Sequence, residues 1–151
     1  MKHVIRNGVW ETNSSAVHSL TFKNDLEPSK LAKMGGYTYA HFGKFGKDFE
    51  EYFDQQSKLN YLVSYLFYLS GWSVERTYDS YEFKNLEEVV CEHAGTIGLK
   101  IAKNPSKPEI DHQAQPSDCG CSFLSWDEFY DKEFLRNFIF NPNVGFRTGC
   151  D

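Results

Sequence analysis

The sequence predicts a single α+β domain over residues 1–151, with a small and mostly antiparallel sheet packed against about three helices. Apolar residues recur at the helical period between about residues 54 and 69, and again in two later segments, while short stretches alternate at the period of a strand. No internal repeat or low-complexity linker divides the 151 residues. Apolar residues make up 40% and aromatics 17%, with thirteen Phe and nine Tyr, which predicts an aromatic-rich core and argues against a disordered chain. The net charge of −5 argues against nucleic-acid binding through bulk positive charge. It leaves open a local basic groove, or an acidic surface that competes with nucleic acid for a basic partner.

Residues 2–6 read as a short strand ended by the turn signal Asn7-Gly8. From Ala16 the chain alternates, placing Ala16, His18, Leu20 and Phe22 on one strand face and Val17, Ser19, Thr21 and Lys23 on the other. A loop through Asn24–Pro28 precedes an expected short helix over Ser29–Met34, stopped by Gly35-Gly36. Tyr37–Phe42 is β-prone, and Phe42–Lys47 reads as a tight turn with aromatic anchors, since it lacks P-loop spacing. Asp48, Glu50, Glu51 and Asp54 read as a solvated acidic face. The clearest helix runs from about Asp54–Ser57 to Leu69, with Leu59, Leu62, Val63, Leu66 and Phe67 in phase and Gly71 placed to end it. Tyr61, Tyr65 and Tyr68 widen its apolar surface. A second helix is expected from a capping box at Asn85/Glu88 to Gly95, followed by a strand over Ile97–Ile101. A third starts at the capping box Ser125/Glu128, carries Phe129, Phe134, Leu135, Phe138 and Ile139 inward, and stops at Asn141-Pro142 before a strand over Val144–Thr148.

Two constellations could carry chemistry. Glu11–Leu20 packs a carboxylate, an amide, four hydroxyls and an imidazole into ten residues. With Asp111-His112-Gln113 it provides two histidines on polar loops, each beside a carboxylate, Glu11 or Asp111. Metal-free cleavage of RNA needs that pairing, with one imidazole activating the ribose 2′-hydroxyl and the other protonating the leaving oxygen. Asn13, Gln113 or Lys100 would then stabilise charge on the phosphate. Alternatively Ser14 or Ser15 is a nucleophile activated by a histidine, although no G-x-S-x-G elbow is present. In the plainer structural reading, Asn13 and the serines close a turn and His18 is satisfied in the core. Whether the two stretches meet is a question for the fold.

The second constellation is Cys91, His93, Cys119 and Cys121, three thiols and an imidazole that match the ligand chemistry of structural zinc. Its one-residue spacings differ from those of zinc ribbons and fingers, and a helical i, i+2 pair diverges, so buried free cysteines and no cofactor are the primary expectation. The four cysteines are unlike a secreted disulfide framework, since none occurs in the first ninety residues. Met1–Arg6 is too short and polar for a signal peptide, and the apolar run near 61–69 carries three tyrosines and a serine. The expectation is a soluble, cytoplasmic protein with no membrane partner.

Glu11-Thr12-Asn13-Ser14-Ser15 followed by His18-Ser19-Leu20 resembles the opening motif E-T-N-S-S-S-x-H-S of a family of phage and Firmicutes prophage proteins with no assigned activity. His41–Gly46 resembles that family's F-G-E-F-G segment, Ile110–Gln113 its Y-I-D-H-Q-S, and Phe138–Asn141 with Thr148-Gly149 its F-I-F-N and T-G-N-D ending. Ala16, Lys44, Ala114 and Cys150 depart from the pattern, whereas Glu11, Asn13, Ser14, Ser15, His18, Asp111, His112 and Gln113 keep it. The resemblance implies a phage accessory protein acting against host defence in the host cytoplasm, as anti-CRISPR proteins do. Its partner would be a host defence complex, either the protein or its guide RNA. Two mechanisms follow: a ribonuclease- or phosphoesterase-like hydrolase, or a non-catalytic acidic inhibitor.

Overall fold

The computed structural model describes residues 18–46, 49–103, 107–110 and 123–148. In chain order the elements are β1 (Ser19–Phe22), β2 (Lys33–Met34), β3 (Tyr37–Ala40), β4 (Lys44–Phe45), β5 (Glu50–Tyr52), α1 (Gln55–Leu69), α2 (Val74–Asp79), α3 (Tyr81–Ala94), β6 (Gly98–Ile101), β7 (Glu109–Ile110), α4 (Trp126–Tyr130), α5 (Lys132–Phe140) and β8 (Val144–Thr148). The architecture is α+β, as expected, with five helices and small, mostly antiparallel sheets among the described residues.

Helix α1 is the axis of the fold. Asp54 starts it by accepting the Ser57 amide, and Gly71, at φ +80°, turns the chain away at its end. Lys58, Leu59 and the run Tyr61–Phe67 are buried, so α1 is covered all round rather than along one stripe. Against it lies a three-stranded sheet with β8 between β1 and β5, both antiparallel to it. A second sheet has the order β2-β3-β6, and β4 pairs in parallel with β7. Gly145, the second residue of β8, lies so close to the neighbouring strand that a Cβ there would overlap the Tyr52 carbonyl oxygen and come 2.7 Å from the Phe53 ring.

Several expectations change. Ser29–Met34 is not a helix. Gly35 and Gly36 have φ of +60° and +84°, the signature of a tight hairpin turn, and they join β2 to β3. Helix α3 starts four residues before Asn85, capped by Ser80, whose hydroxyl accepts the Phe83 amide. Asn85 is interior, and its side chain donates to the Phe129 carbonyl at 3.3 Å, tying α3 to α4. The capping box at Ser125/Glu128 is formed, but the expected third helix is two. Asp131 closes α4 and caps α5, its side chain accepting the Phe134 amide at 3.0 Å. Helix α2, capped by Ser73, is too short for its periodicity to register. The expected strand over residues 2–6 lies outside the described residues.

Candidate functional site

The site is built outward from α1. Tyr61, Tyr65 and Tyr68 are spaced four and three residues apart, so they form one row along the helix. Each hydroxyl holds a different part of the chain. That of Tyr61 lies 2.7 Å from His18 Nδ1, that of Tyr65 donates to the Leu124 carbonyl at 2.9 Å, and that of Tyr68 donates to the Pro108 carbonyl at 2.8 Å. Burial pushes the Tyr68 hydroxyl above its ordinary pKa, which keeps it a donor across the physiological range.

These contacts are joined sideways. The Phe123 amide donates to the His18 carbonyl at 3.1 Å, and the Phe123 ring stacks on Tyr61 at 5.9 Å between centroids. Ile110 pairs in register with Phe45, whose ring meets Tyr61 edge-on at 5.0 Å. Phe146 stacks on the same tyrosine at 4.3 Å. His18, Pro108–Ile110 and Phe123–Leu124 are therefore gathered on one helix face. They are the described residues that flank segments 1–17 and 111–122. Of the sequence-predicted residues, Glu11, Asn13, Ser14 and Ser15 fall in the first segment and Asp111, His112 and Gln113 in the second, outside the described residues.

His18 itself is described. It is 1% exposed, in the inward register its alternation with Leu20 predicts. Phe22, expected on the same apolar face, is 68% exposed at the end of β1. The Lys100 ammonium lies 3.9 Å from the centroid of the Tyr37 ring, on the β2-β3-β6 sheet. In the sequence the row of tyrosines reads only as apolar surface. The missed signal was the choice of Tyr over Phe at positions destined for the core, because a buried phenol needs a partner for its hydroxyl.

The zinc candidates are only partly visible. Cys91 is half-buried on α3, while His93 is exposed and stacks on Phe140 with centroids 3.8 Å apart. Cys119 and Cys121 lie outside the described residues. Among the described residues no group of three His, Cys, Asp or Glu side chains is placed to hold a metal ion.

Glu50, Glu51 and Asp54 of the acidic face, and Glu128 and Asp131 further on, are engaged. The Arg147 guanidinium, and after it the Lys23 ammonium, hold the Glu51 carboxyl below its usual range, with contacts of 2.7 and 3.1 Å. Glu50 accepts the Tyr52 hydroxyl, Asp54 caps α1, Glu128 completes the α4 capping box and Asp131 caps α5. No helix among the described residues is long and apolar enough to cross a membrane. No protein family, curated protein or solved structure matches the chain.

Proposed function

We propose that this is a phage-type accessory protein that acts in the host cytoplasm against a nucleic-acid-based defence system, in the manner of an anti-CRISPR protein, by cleaving RNA or a nucleotide. The observation that supports this reading is the gathering of His18, Ile110 and Phe123 around Tyr61, which brings together the flanks of both polar segments. In the proposed reaction one of His18 and His112 takes the proton of the ribose 2′-hydroxyl. The freed oxygen attacks the adjacent phosphorus, and the other imidazole protonates the leaving 5′-oxygen. Glu11 and Asp111 orient the imidazoles, and Asn13, Ser14, Ser15 and Gln113 contact the phosphate. Tyr61 positions His18 through Nδ1. At 1% exposure His18 meets substrate only if substrate binding parts the chain that covers it.

The test is defence inhibition at sub-stoichiometric and equimolar protein, with the RNA run on a gel. Shortened RNA at sub-stoichiometric protein, lost by about two to four powers of ten in rate in His18→Ala and in His112→Ala, is the expected result. Intact RNA with strict one-to-one inhibition would remove the nuclease.

One-to-one inhibition would instead support a non-catalytic acidic inhibitor, and a separate observation favours that second reading. Tyr81, Trp126 and Tyr130 are 67%, 46% and 51% exposed, and the Tyr81 and Tyr130 rings lie 6.0 Å apart. Trp126 sits one turn before Tyr130 on α4, with the exposed carboxylates of Asp127 and Asp131 alongside. Exposed Trp and Tyr are common anchors of protein interfaces. Under that reading Trp126→Ala raises the inhibitory concentration, whereas His18→Ala leaves it unchanged.

A further inference from the structure

We infer that the cleft between the 29–33 segment, the start of α1 and the ends of α3 and α5 binds a nucleotide, either free or as the terminal unit of an RNA strand. The cleft is about 520 Å³, within the range that takes a small organic ligand. Lys30, Lys33 and His93 line it together with Gln55 and Phe140, and none of its lining residues is a carboxylate. In a chain of net charge −5 this is a local concentration of positive and protonatable groups. Neither lysine is in an ion pair among the described residues, although Lys23, Lys44, Lys132, Arg136 and Arg147 all are.

The two halves of the cleft suit the two halves of a nucleotide. Lys33 donates one N–H to the Ala94 carbonyl at 3.0 Å, which fixes the ammonium at the rim and leaves two donors for an anion. Lys30, exposed three residues earlier, adds a second cation for the same phosphate. His93 lies flat on Phe140, with ring planes 15° apart, so the imidazole is held as a rigid plate with an exposed side. A base stacks on such a plate without a need for sequence-specific hydrogen bonds. Gln55 supplies an amide for the sugar or base edge.

The cleft includes Phe140, just before the Val144 end of β8, whereas His18 precedes β1 at the Thr148 end. His18 and this cleft therefore lie toward opposite ends of β8, and the titration below reads binding alone, so a failure of one proposal leaves the other standing.

Calorimetric titration of the full chain at low salt, with AMP, adenosine, inorganic phosphate and a 5′-phosphorylated RNA pentamer, tests the inference without requiring turnover. AMP is expected to saturate one site per chain, with adenosine and phosphate each at least about tenfold weaker. Lys30→Gln with Lys33→Gln should weaken AMP about tenfold or more, and raising salt should weaken it in the unmodified protein. His93→Ala should weaken AMP and adenosine alike while sparing phosphate. Tighter binding of the pentamer than of AMP assigns the site to an RNA end, and the reverse order assigns it to a free nucleotide. Absence of saturable AMP binding, equal affinity for AMP and phosphate, or indifference to the double lysine replacement would each overturn the inference. The replaced side chains are exposed, and an unchanged thermal melt confirms that each variant is folded.

Discussion

Near the Thr148 end of β8 a buried imidazole is held by a tyrosine hydroxyl, whereas near the Val144 end a buried ammonium is held by main-chain carbonyls. His18 meets Tyr61 at 2.7 Å inside a ring of aromatic side chains. Lys58, fully buried on the same helix, donates to the Asn141 carbonyl at 3.0 Å and the Val144 carbonyl at 2.7 Å, and lies 5.9 Å from the centre of the Phe138 ring. Both contacts pin α1 to the β1-β8-β5 sheet, but they do so at different cost. The imidazole and phenol need shed no fixed charge to be buried, whereas an ammonium carries a desolvation penalty that two carbonyls offset only in part. Burial accordingly brings the Lys58 amine down to a pKa of about 8, with the Asp54 charge pulling the other way. One end of β8 is therefore anchored by shape and hydrogen bonding, the other by a charged group close to its own titration.

Removing the anchors one at a time should rank them. Lys58→Ala is expected to be the most damaging, at about 4 kcal/mol, because it opens a cavity and takes the lysine donor from the buried Val144 carbonyl. Urea denaturation measures it, and a loss below about 1 kcal/mol would mean that water replaces the ammonium readily. Gly145→Ala should come next, at about 2–3 kcal/mol, through overpacking against Tyr52 and Phe53 beside the Val144 end. A neutral result there would show that β5 moves freely away from β8. Tyr61→Phe should cost about 1–1.5 kcal/mol, the net value of one buried hydrogen bond. If His18 is also catalytic, that substitution lowers the cleavage rate without abolishing it. Equal stability losses in Tyr61→Phe and Tyr65→Phe, with a rate loss only in the former, would separate positioning of His18 from general support.

What could be read in the sequence follows the range of the forces involved. Helix α1 was legible because its apolar period spans four turns, and the inward face of His18 was legible from strand alternation with Leu20. The Ser125/Glu128 capping box and the Gly95 stop were legible because capping is chemistry between near neighbours. The hairpin at Gly35-Gly36 was missed because two glycines end a helix and turn a hairpin equally well, and only pairing of β3 with the distant β6 decides between them. Asn85 has the residue types of a cap, but Ser80 outcompetes it once Phe83 is buried. At the candidate site, the polar density of Glu11–His18 was visible, whereas the three tyrosines that gather its flanks were not. Their hydroxyl partners lie 40 to 59 residues away or on carbonyls that leave no mark in composition. Lys58 was hidden for the same reason, since its partners are main-chain atoms more than eighty residues on.

The smallest effect is also the sharpest test of the contrast between the two ends, because only one of them carries a charge that titrates in an accessible range. The amine of Lys58 has a pKa of about 8 in the folded protein and 10.5 as its ordinary value. Between those values the unfolded chain holds the proton and the folded chain does not, so folding releases protons and stability rises with pH. Below pH 8 both states are protonated, and the penalty for burying the ammonium is fully present. Above about 10.5 neither is charged, and the penalty is gone. Going from pH 7 to pH 9, this group alone should add on the order of 1 kcal/mol to the unfolding free energy. The measurement is a set of urea denaturation curves across that range for the unmodified protein and for Lys58→Met, which keeps the side-chain length without the charge. The difference between the two should shift by that amount in favour of the unmodified protein as pH rises. A difference that stays flat would mean that the ammonium keeps its ordinary pKa, hydrated or better paired than its two carbonyls imply. The two ends of β8 would then be anchored alike, with no charge penalty at either.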